Sequence, residues 1–221
     1  MKAVIFGATG MVGQGVLREC LLDPEVGQVV SVVRTASGQT HAKLREVVHG
    51  NFTDFSGIES ELSGCDACFF CLGVSSAGMT EAGYTRVTYD ITMAAARTLV
   101  RASPGMTFEY ISGQGADSSE KGRSMWARVK GKTENALLAL PFKAAYMLRP
   151  GFIQPLHGIK SKTRVYRFFY AVSKPLLPML KAICPQYVTT TERLGRAMIA
   201  VAKHGYSKKV LEMRDINSVV A

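Results

Sequence analysis

The chain has 221 residues, of which 47% are hydrophobic, so it is long enough to bury a full core within a single domain, residues 1–221. It reaches a glycine-rich turn at Gly7 and contains no run of about 18 apolar residues, so we expect neither a secretory leader nor a membrane-spanning helix. The net charge of +10 favours anionic partners, but no nucleic-acid-reading motif accompanies it and we expect no nucleic acid. These properties predict a soluble, cytoplasmic protein.

Apolar runs and helical patterns alternate along the chain. Strands are predicted at residues 2–6, 28–33, 47–48, 67–72, 106–112 and 144–148, with a late strand at 209–213. Helices are predicted at residues 11–22, 84–102, 125–140 and 192–204. Strands that are almost continuously hydrophobic and alternate with helices require a parallel sheet covered on both faces. We therefore predict an α/β fold with a doubly wound parallel sheet.

The segment GATGMVG lies where the first predicted strand passes into the first predicted helix. Gly7 permits the tight turn, Gly10 lets the backbone approach a pyrophosphate, and Gly13 lets the helix pack closely on the strand. The start of the helix then offers free N–H groups to the phosphates. The predicted cofactor-binding residues of this turn are Gly7, Thr9, Gly10, Met11, Val12 and Gly13.

Arg34 follows the second predicted strand, at the place where an NAD-binding chain has a carboxylate that bonds the adenosine ribose. No carboxylate stands there in this chain. A guanidinium can bind a 2'-phosphate with two hydrogen bonds, whereas a carboxylate would repel it. We therefore predict NADP(H) rather than NAD(H) as the cofactor.

Cys65, Cys68 and Cys71 are close enough in sequence to suggest a metal site. They fall in a predicted buried strand, however, where side chains three positions apart point to opposite faces. No second Cys or His pair nearby completes a tetrahedral site. We predict reduced thiols in the core and no metal.

Five motifs in chain order, GATGMVG, ACFFCLG, EYISGQGAD, ARVKGKTENAL and MLRPGFI, cover most of the chain. With them the chain resembles an atypical short-chain dehydrogenase/reductase, and it is similar to the NmrA-like regulators and the Tat-interacting protein subgroup. The resemblance implies a Rossmann fold that binds NAD(P) and an oxidoreductase acting on a small-molecule substrate. The motifs are highly specific for the superfamily and much less specific for a reaction.

The resemblance also implies roles for residues outside the glycine-rich turn. Ser112 takes the place of the family's substrate-orienting serine, and Lys130 the place of the lysine that grips the nicotinamide ribose. The implied cofactor-lining residues are Cys71, Leu72 and Gly73 on the ribose side, Pro150, Gly151 and Phe152 beside the nicotinamide ring, and Asn51 near the adenine, where many relatives have an aspartate.

Trp126 departs from the family pattern, which has a tyrosine four residues before the lysine, and we group it with Ser112 and Lys130 as a candidate catalytic position. The tyrosine exchanges a proton with the substrate oxygen while hydride passes to or from the nicotinamide. An indole N–H donates a hydrogen bond but has no usable acidity. Loss of a general acid typically costs roughly 10² to 10⁴ in rate, so we expect a poor ketone reductase.

Three interpretations of Trp126 stay open. The first is an oxidoreductase whose acceptor, such as a quinone or a flavin, is protonated by solvent. The second is a regulator that senses NADP(H) and acts through a partner protein. The third is a tyrosine supplied from elsewhere: Tyr110 shares the strand parity of Ser112 but lies about 7 Å back along the strand. The remaining candidates, Tyr84, Tyr89 and Tyr166, require their segments to fold over the site.

Residues 151–190 are predicted to form a small C-terminal lobe that faces either the substrate or a membrane. No acidic residue occurs from 135 to 191, and residues 159–184 interleave basic and aromatic side chains. That mixture favours a lid over the substrate cleft or, as the alternative, an anionic membrane surface that would make the protein peripheral to a membrane. The oligomeric state is open.

Overall fold

A computed structural model of the protein describes residues 1–159 and 188–220. Its strands are β1 (Lys2–Phe6), β2 (Gln28–Val33), β3 (Leu44–Val48), β4 (Ala67–Phe70), β5 (Thr107–Ile111), β6 (Ala144–Arg149), β7 (Phe152–Gln154), β8 (Val188–Thr190) and β9 (Val210–Glu212). Seven of them form one parallel sheet in the order β3-β2-β1-β4-β5-β6-β9. The predicted doubly wound parallel sheet is therefore confirmed.

The helices of the described residues are α1 (Met11–Leu22), α2 (Glu81–Thr85), α3 (Ile91–Ala102), α4 (Met125–Leu138), α5 (Thr191–His204) and α6 (Met213–Val219). The single helix predicted over residues 84–102 is wrong in one respect, because the chain winds as a π-helix over Arg86–Asp90 between α2 and α3. The apolar periodicity runs on through this stretch, so the sequence pattern does not reveal the wider turn. A 3₁₀ segment, Ser56–Leu62, and α6 were not predicted.

Two apolar cores cover the two faces of the main sheet. Ile5 and Phe69 belong to the core beneath α1 and α5, whereas Phe6 and Phe70, the next residues of the same strands, belong to the core beneath α3 and α4. Every residue of β4 and of β5 is buried. Strands covered on both faces need apolar residues at nearly every position, which explains the continuous hydrophobic runs in the sequence.

Helices α1 and α5 pack closely because glycines face each other where they meet. A Cβ on Gly15 would lie 2.7 Å from the Thr191 side chain, and a Cβ on Gly195 would lie 2.8 Å from Glu19. Glu19 is buried there and pairs with Arg18 and Arg196. The close contact sets the start of α5 beside the second turn of α1, near the carboxyl edge of the sheet.

A second, two-stranded parallel sheet joins β7 to β8. Leu156 N donates to Thr191 Oγ1 at 3.1 Å and binds the chain after β7 to the start of α5. The basic and aromatic segment at 159–184, predicted as a lid or a membrane surface, lies outside the described residues except for residue 159.

The cysteines described by the structure are free thiols. Cys68 and Cys71 lie against opposite cores, as predicted, but Cys65 precedes β4 and shares the core of Cys68, so the expectation that those two face apart is wrong. Within residues 1–159 and 188–220, no group of three or more His, Cys, Asp or Glu side chains is arranged to hold a metal. No helix in that part of the chain has the length and hydropathy needed to span a bilayer.

Candidate functional site

The strand order reverses direction between β1 and β4, and this is where ligands bind in open α/β sheets. Gly7 follows β1 at this point with a φ of +82°, a backbone conformation that favours glycine. A Cβ on Gly7 would lie 2.8 Å from Leu72 N and 2.9 Å from the Cys71 carbonyl. The predicted turn and the predicted ribose-side residues after β4 are therefore brought together.

The glycine-rich turn folds tightly back on the first turn of α1. Gly10 N donates to Gly7 O at 2.9 Å. A Cβ on Gly13 would lie 2.1 Å from Gly7 O and 2.6 Å from Gly7 C, so no other residue fits without moving the backbone. A Cβ on Gly10 would lie 3.3 Å from Gly7 O, a tight but milder contact.

The start of α1 has the features of an anion site. Its N-cap, Gly10, has no side chain to accept from the first N–H groups, and no acidic residue stands in the first turn. Those N–H groups have no acceptor within the helix, and the helix dipole adds partial positive charge. Gln14 Nε2 donates to Thr9 O at 3.1 Å and fixes the turn without covering it. This arrangement fits the paired phosphates of a dinucleotide.

Arg34 and Asn51 follow β2 and β3, on the side of the turn predicted for the adenosine. Arg34 is exposed and has no ion-pair partner among the described residues, so its guanidinium is available to a ligand. Asn51 uses its side-chain oxygen locally, accepting from Thr53 N at 3.1 Å and from Thr53 Oγ1 at 2.6 Å. Only the amide N–H groups of Asn51 remain for an adenine.

Lys130 lies in α4 with its ammonium group turned into the protein. Its Nζ donates to the Tyr110 hydroxyl at 2.9 Å and to Ile111 O at 3.0 Å. The side chain is only 8% exposed. Burial lowers the pKa of Lys130 to about 8, and the nearby Glu134 carboxylate partly opposes that shift. Tyr110 is likewise buried, and desolvation raises the pKa of its phenol.

Ser112 stands just past the end of β5, at the carboxyl edge of the sheet. Its N donates to Leu148 O at 2.8 Å, which extends the pairing of β5 with β6 by one residue. Its Oγ is buried and has no hydrogen-bond partner among the described residues. A buried hydroxyl without a partner is costly, and at the edge of a cleft it is a group on which a ligand oxygen can form a hydrogen bond.

Trp126 lies in the first turn of α4 and is half-buried. Its benzo ring covers Gly113 and Gly115, where added Cβ atoms would lie 3.7 and 3.5 Å from ring carbons. The tryptophan ring therefore lies against the loop that follows β5 at the carboxyl edge of the sheet. The loop after β5 is held against α4 on the other side by Gly131, since a Cβ there would lie 1.8 Å from Asp117 O.

The chain after β6 forms a wall beside the loop that follows β5. Gln114 N donates to Pro150 O at 3.0 Å, and the Gln114 side-chain oxygen lies where a Cβ on Gly151 would be only 2.3 Å away. Phe152 begins β7 and is half-buried. Gln114 was not identified from the sequence. Its position two residues after the candidate serine was a signal that could have indicated it.

Arg149, the last residue of β6, connects the start of this wall to three neighbouring elements. Its guanidinium donates to Glu134 Oε1 at 3.0 Å, to Glu212 Oε1 at 3.1 Å and to Ser118 Oγ at 2.6 Å. Hydrogen bonding to Glu134 raises the pKa of Arg149. The four residues join β6, α4, the loop after β5 and the end of β9, so the carboxyl edge is held as one unit.

Comparison with known proteins agrees with this geometry. The model of a family described as NAD(P)H-binding matches residues 7–137. The chain is 30% identical over 179 residues to the Emericella nidulans protein named fmp52, mitochondrial, covering 76% of this chain and 74% of that one. It is 26% identical over 222 residues to fmp52-2, mitochondrial, of Aspergillus oryzae, covering 97% and 94%. The resemblance to the atypical, NAD(P)-binding branch of the short-chain dehydrogenase/reductase family is thereby confirmed.

Two solved structures with the same fold hold NAD. WbmF of Bordetella bronchiseptica in complex with NAD+ superposes with a TM-score of 0.68 at 15% identity, covering 98% of this chain and 76% of that one. A DesIV double mutant, a dTDP-glucose 4,6-dehydratase of Streptomyces venezuelae with NAD and DAU bound, gives 0.69 at 18% identity, covering 96% and 75%. At these identities the likeness shows the fold alone.

The comparisons overturn one expectation. We expected a cytoplasmic protein, but the matched fungal relatives carry mitochondrial names, and the expectation is wrong on that finding. Composition and the absence of long apolar runs do not distinguish the aqueous compartments of a cell, so the sequence argument had no means of choosing between them.

Proposed function

The chain belongs to the NAD(P)H-binding family, and from that premise we propose that it is an NADP(H)-dependent oxidoreductase acting on a flat, conjugated acceptor of the quinone or flavin type. A nicotinamide cofactor is the part of this proposal that the family match and the fold support directly. The choice of NADP(H) over NAD(H), the class of acceptor and the roles of individual residues are our own inferences.

The observation that carries the proposal is the glycine cradle at the start of α1. The space that a Cβ on Gly13 would need is filled by the Gly7 carbonyl, and the helix start has no cap and no acidic side chain. A dinucleotide's pyrophosphate matches this cradle in charge and in hydrogen-bonding capacity. The residues present therefore fit the cofactor.

Arg34 supports the choice of NADP(H). It follows β2 directly, next to the strand that ends in the glycine-rich turn, and among the described residues no carboxylate neutralises it. A guanidinium offers two parallel N–H donors to a phosphate, and the pair gains from full opposite charge. An adenosine without the 2'-phosphate would leave these donors to water.

The class of acceptor is inferred from the lack of a suitable proton donor among the described residues of the site. Trp126 has no acidic proton, and Tyr110 is buried beneath Ser112 and bonded to Lys130. Reduction of an isolated ketone leaves an alkoxide about as basic as hydroxide, whose conjugate acid has a pKa of about 15.7. Reduction of a quinone leaves a phenolate with a pKa of about 10, which solvent protonates readily. A conjugated acceptor therefore suits this site.

Each residue of the site has a role in the proposal. When bound, the reduced nicotinamide supplies a hydride to the acceptor, which also takes one proton from water. Ser112 Oγ, which lacks a partner, donates a hydrogen bond to the acceptor oxygen. Trp126 offers an aromatic surface to a flat ring, an arrangement worth about 0.5–1.5 kcal/mol beyond area burial. Lys130 has a third N–H, which we assign to the nicotinamide ribose.

A second candidate function is a regulator that binds NADP(H) and signals to a partner without turnover. The inward orientation of Lys130 favours it, because two of the three ammonium N–H groups are used by Tyr110 and Ile111 O. Under this function Trp126 covers the nicotinamide site and catalysis is vestigial.

One experiment separates the candidates. Calorimetry with millimolar NADPH and NADH measures binding, and absorbance at the reduced nicotinamide band then follows oxidation against a panel of quinones, flavins, aldehydes and ketones. We expect tighter binding of NADPH and turnover with the conjugated acceptors only. Binding without turnover on any acceptor identifies the regulator, and no heat from folded protein with either cofactor refutes both.

A further inference from the structure

Gln114 is a polar residue that contacts the predicted nicotinamide wall, and no role has been assigned to it so far. Its side chain is exposed at the carboxyl edge and makes no hydrogen bond with any described residue. Its backbone is fixed, since Gln114 N donates to Pro150 O at 3.0 Å and so ties the loop after β5 to the end of β6. An anchored backbone with an unused primary amide is a suitable arrangement for holding a ligand.

One side of the Gln114 side chain lies against the backbone of Gly151. Its Oε1 lies 2.3 Å, and its Cδ 3.4 Å, from the place that a Cβ on Gly151 would take. The Met213 side chain closes the same space at 3.4 Å. Because residue 151 is glycine, the amide of Gln114 can lie against the backbone of the wall while the side chain stays exposed at the carboxyl edge.

The chemistry of the amide narrows the choice of ligand. A primary amide has one acceptor oxygen and two N–H donors, so its best partner is another primary amide, with which it forms two hydrogen bonds side by side. The carboxamide of nicotinamide is such a group and is the only substituent of that ring with both a donor and an acceptor. A quinone or a flavin ring offers Gln114 mainly hydrogen-bond acceptors. Such a ring would use the N–H donors of the amide but leave its oxygen largely unused.

We propose that the side-chain amide of Gln114 binds the carboxamide of the nicotinamide and thereby sets the orientation of the ring against Gly151. This inference rests on the proposed cofactor site and adds a specificity-determining residue to it. Rotation of the ring by half a turn would remove the carboxamide from Gln114, so the residue also selects the face from which hydride leaves.

The test compares two cofactors that differ only at this group: NADP+ and its 3-acetylpyridine analogue, in which a methyl ketone replaces the carboxamide. Calorimetry gives both dissociation constants for the parent, for Gln114→Met and for Gln28→Met. Methionine matches the length of glutamine but has no amide. Gln28 is an exposed glutamine at the amino end of β2, on the opposite edge of the sheet, and serves as the matched control.

We expect the parent and Gln28→Met to prefer NADP+ by about tenfold, the effect of one to two hydrogen bonds, and Gln114→Met to bind both cofactors alike. A preference that survives in Gln114→Met overturns the inference, as does equal weakening of both cofactors, which would indicate a structural role in the loop. If the parent binds both cofactors equally well, this inference fails while the cofactor site stands. If it binds neither, both fail.

Discussion

Lys130 donates a hydrogen bond to the phenol oxygen of Tyr110 across 2.9 Å, and the ammonium group lies 4.5 Å from the centre of the same ring. The two residues stand on α4 and β5, and both are buried. A cation thus lies beneath the carboxyl edge of the sheet with a phenol and a backbone carbonyl as its direct partners. In the family pattern the lysine is accompanied by a tyrosine four residues earlier, whereas in this protein its partner is the buried Tyr110 of β5.

The first prediction concerns the protonation of Lys130. Burial lowers the pKa of Lys130 to about 8 in the folded protein, whereas in the unfolded chain a lysine keeps its proton to about pH 10.4. Above pH 8 the unfolded chain therefore keeps a Lys130 proton that the folded protein has lost, and this residue adds about 1.4 kcal/mol per pH unit to the free energy of unfolding up to pH 10. Urea denaturation between pH 7 and pH 10 measures the free energy of unfolding at each pH. A Lys130→Met variant should lack this contribution, so its stability should rise less, or fall more, with pH than that of the parent; equal slopes in both proteins would contradict the assignment.

The second prediction concerns Glu109 in β5, which is fully buried with neither carboxyl oxygen bonded to a described residue. Burial raises the pKa of Glu109 well above its usual value, so the folded protein keeps a proton that the unfolded chain releases above about pH 4.3. Stability is then lost as the pH rises, by up to about 1.4 kcal/mol per unit. Glu109→Gln should remove this slope and exceed the parent in stability at pH 7, measured by urea denaturation. Identical slopes would show that Glu109 is ionised in the fold.

The third prediction tests the glycine cradle. Gly13→Ala places a methyl group 2.1 Å from Gly7 O, so the turn must open and NADPH affinity should fall at least a hundredfold, as measured by calorimetry. Gly105→Ala is the matched control, because a Cβ there meets nothing within 4 Å. Thermal melting of both variants checks folding. Undiminished affinity in a folded Gly13→Ala protein would place the cofactor elsewhere.

The fourth prediction concerns the choice between cofactors. The parent should bind NADPH more tightly than NADH, and Arg34→Ala should erase most of that difference, because a charged hydrogen-bonded pair contributes about 1.5–3 kcal/mol. Affinity for NADH should change little, since our proposal assigns Arg34 to the 2'-phosphate, which NADH lacks. Titration of both cofactors measures it. Equal affinities in the parent protein would reject the NADP(H) assignment.

The fifth prediction concerns Trp126. The parent should oxidise NADPH negligibly with simple ketones, and Trp126→Tyr should gain measurable activity, since a phenol at this position can donate a proton and Lys130 lies one turn further along α4. Trp126→Phe, which restores no acid, is the control. Steady-state oxidation of NADPH with a cyclic ketone is the assay. Rapid ketone reduction by the parent would show that another group donates the proton.

Much of the fold was predictable because its signals are local. The residues of β1, α1 and β2 were predicted to the residue, since apolar runs and the glycine-rich turn mark them directly. The small β7–β8 sheet was not predicted, because its strands are three residues long and pair across 36 positions of the chain. Short strands carry too few side chains to show a period.

The sequence by itself determined the doubly wound sheet and the uncapped, glycine-rich start of its first helix, because these depend on residues within one turn or one strand of each other. The location of that helix start at the switch point was decided by the strand order, which sets β4 beside β1. Only the tertiary structure decided where the chemistry of the site lies. Sequence parity placed Tyr110 beneath Ser112, but not within reach of Lys130; that contact needs the approach of α4 to β5 and the length of a lysine side chain. Gln114 meets Gly151 only because β5 and β6 are neighbours in the sheet. Such contacts depend on the packing of distant segments, to which no local pattern in the sequence corresponds.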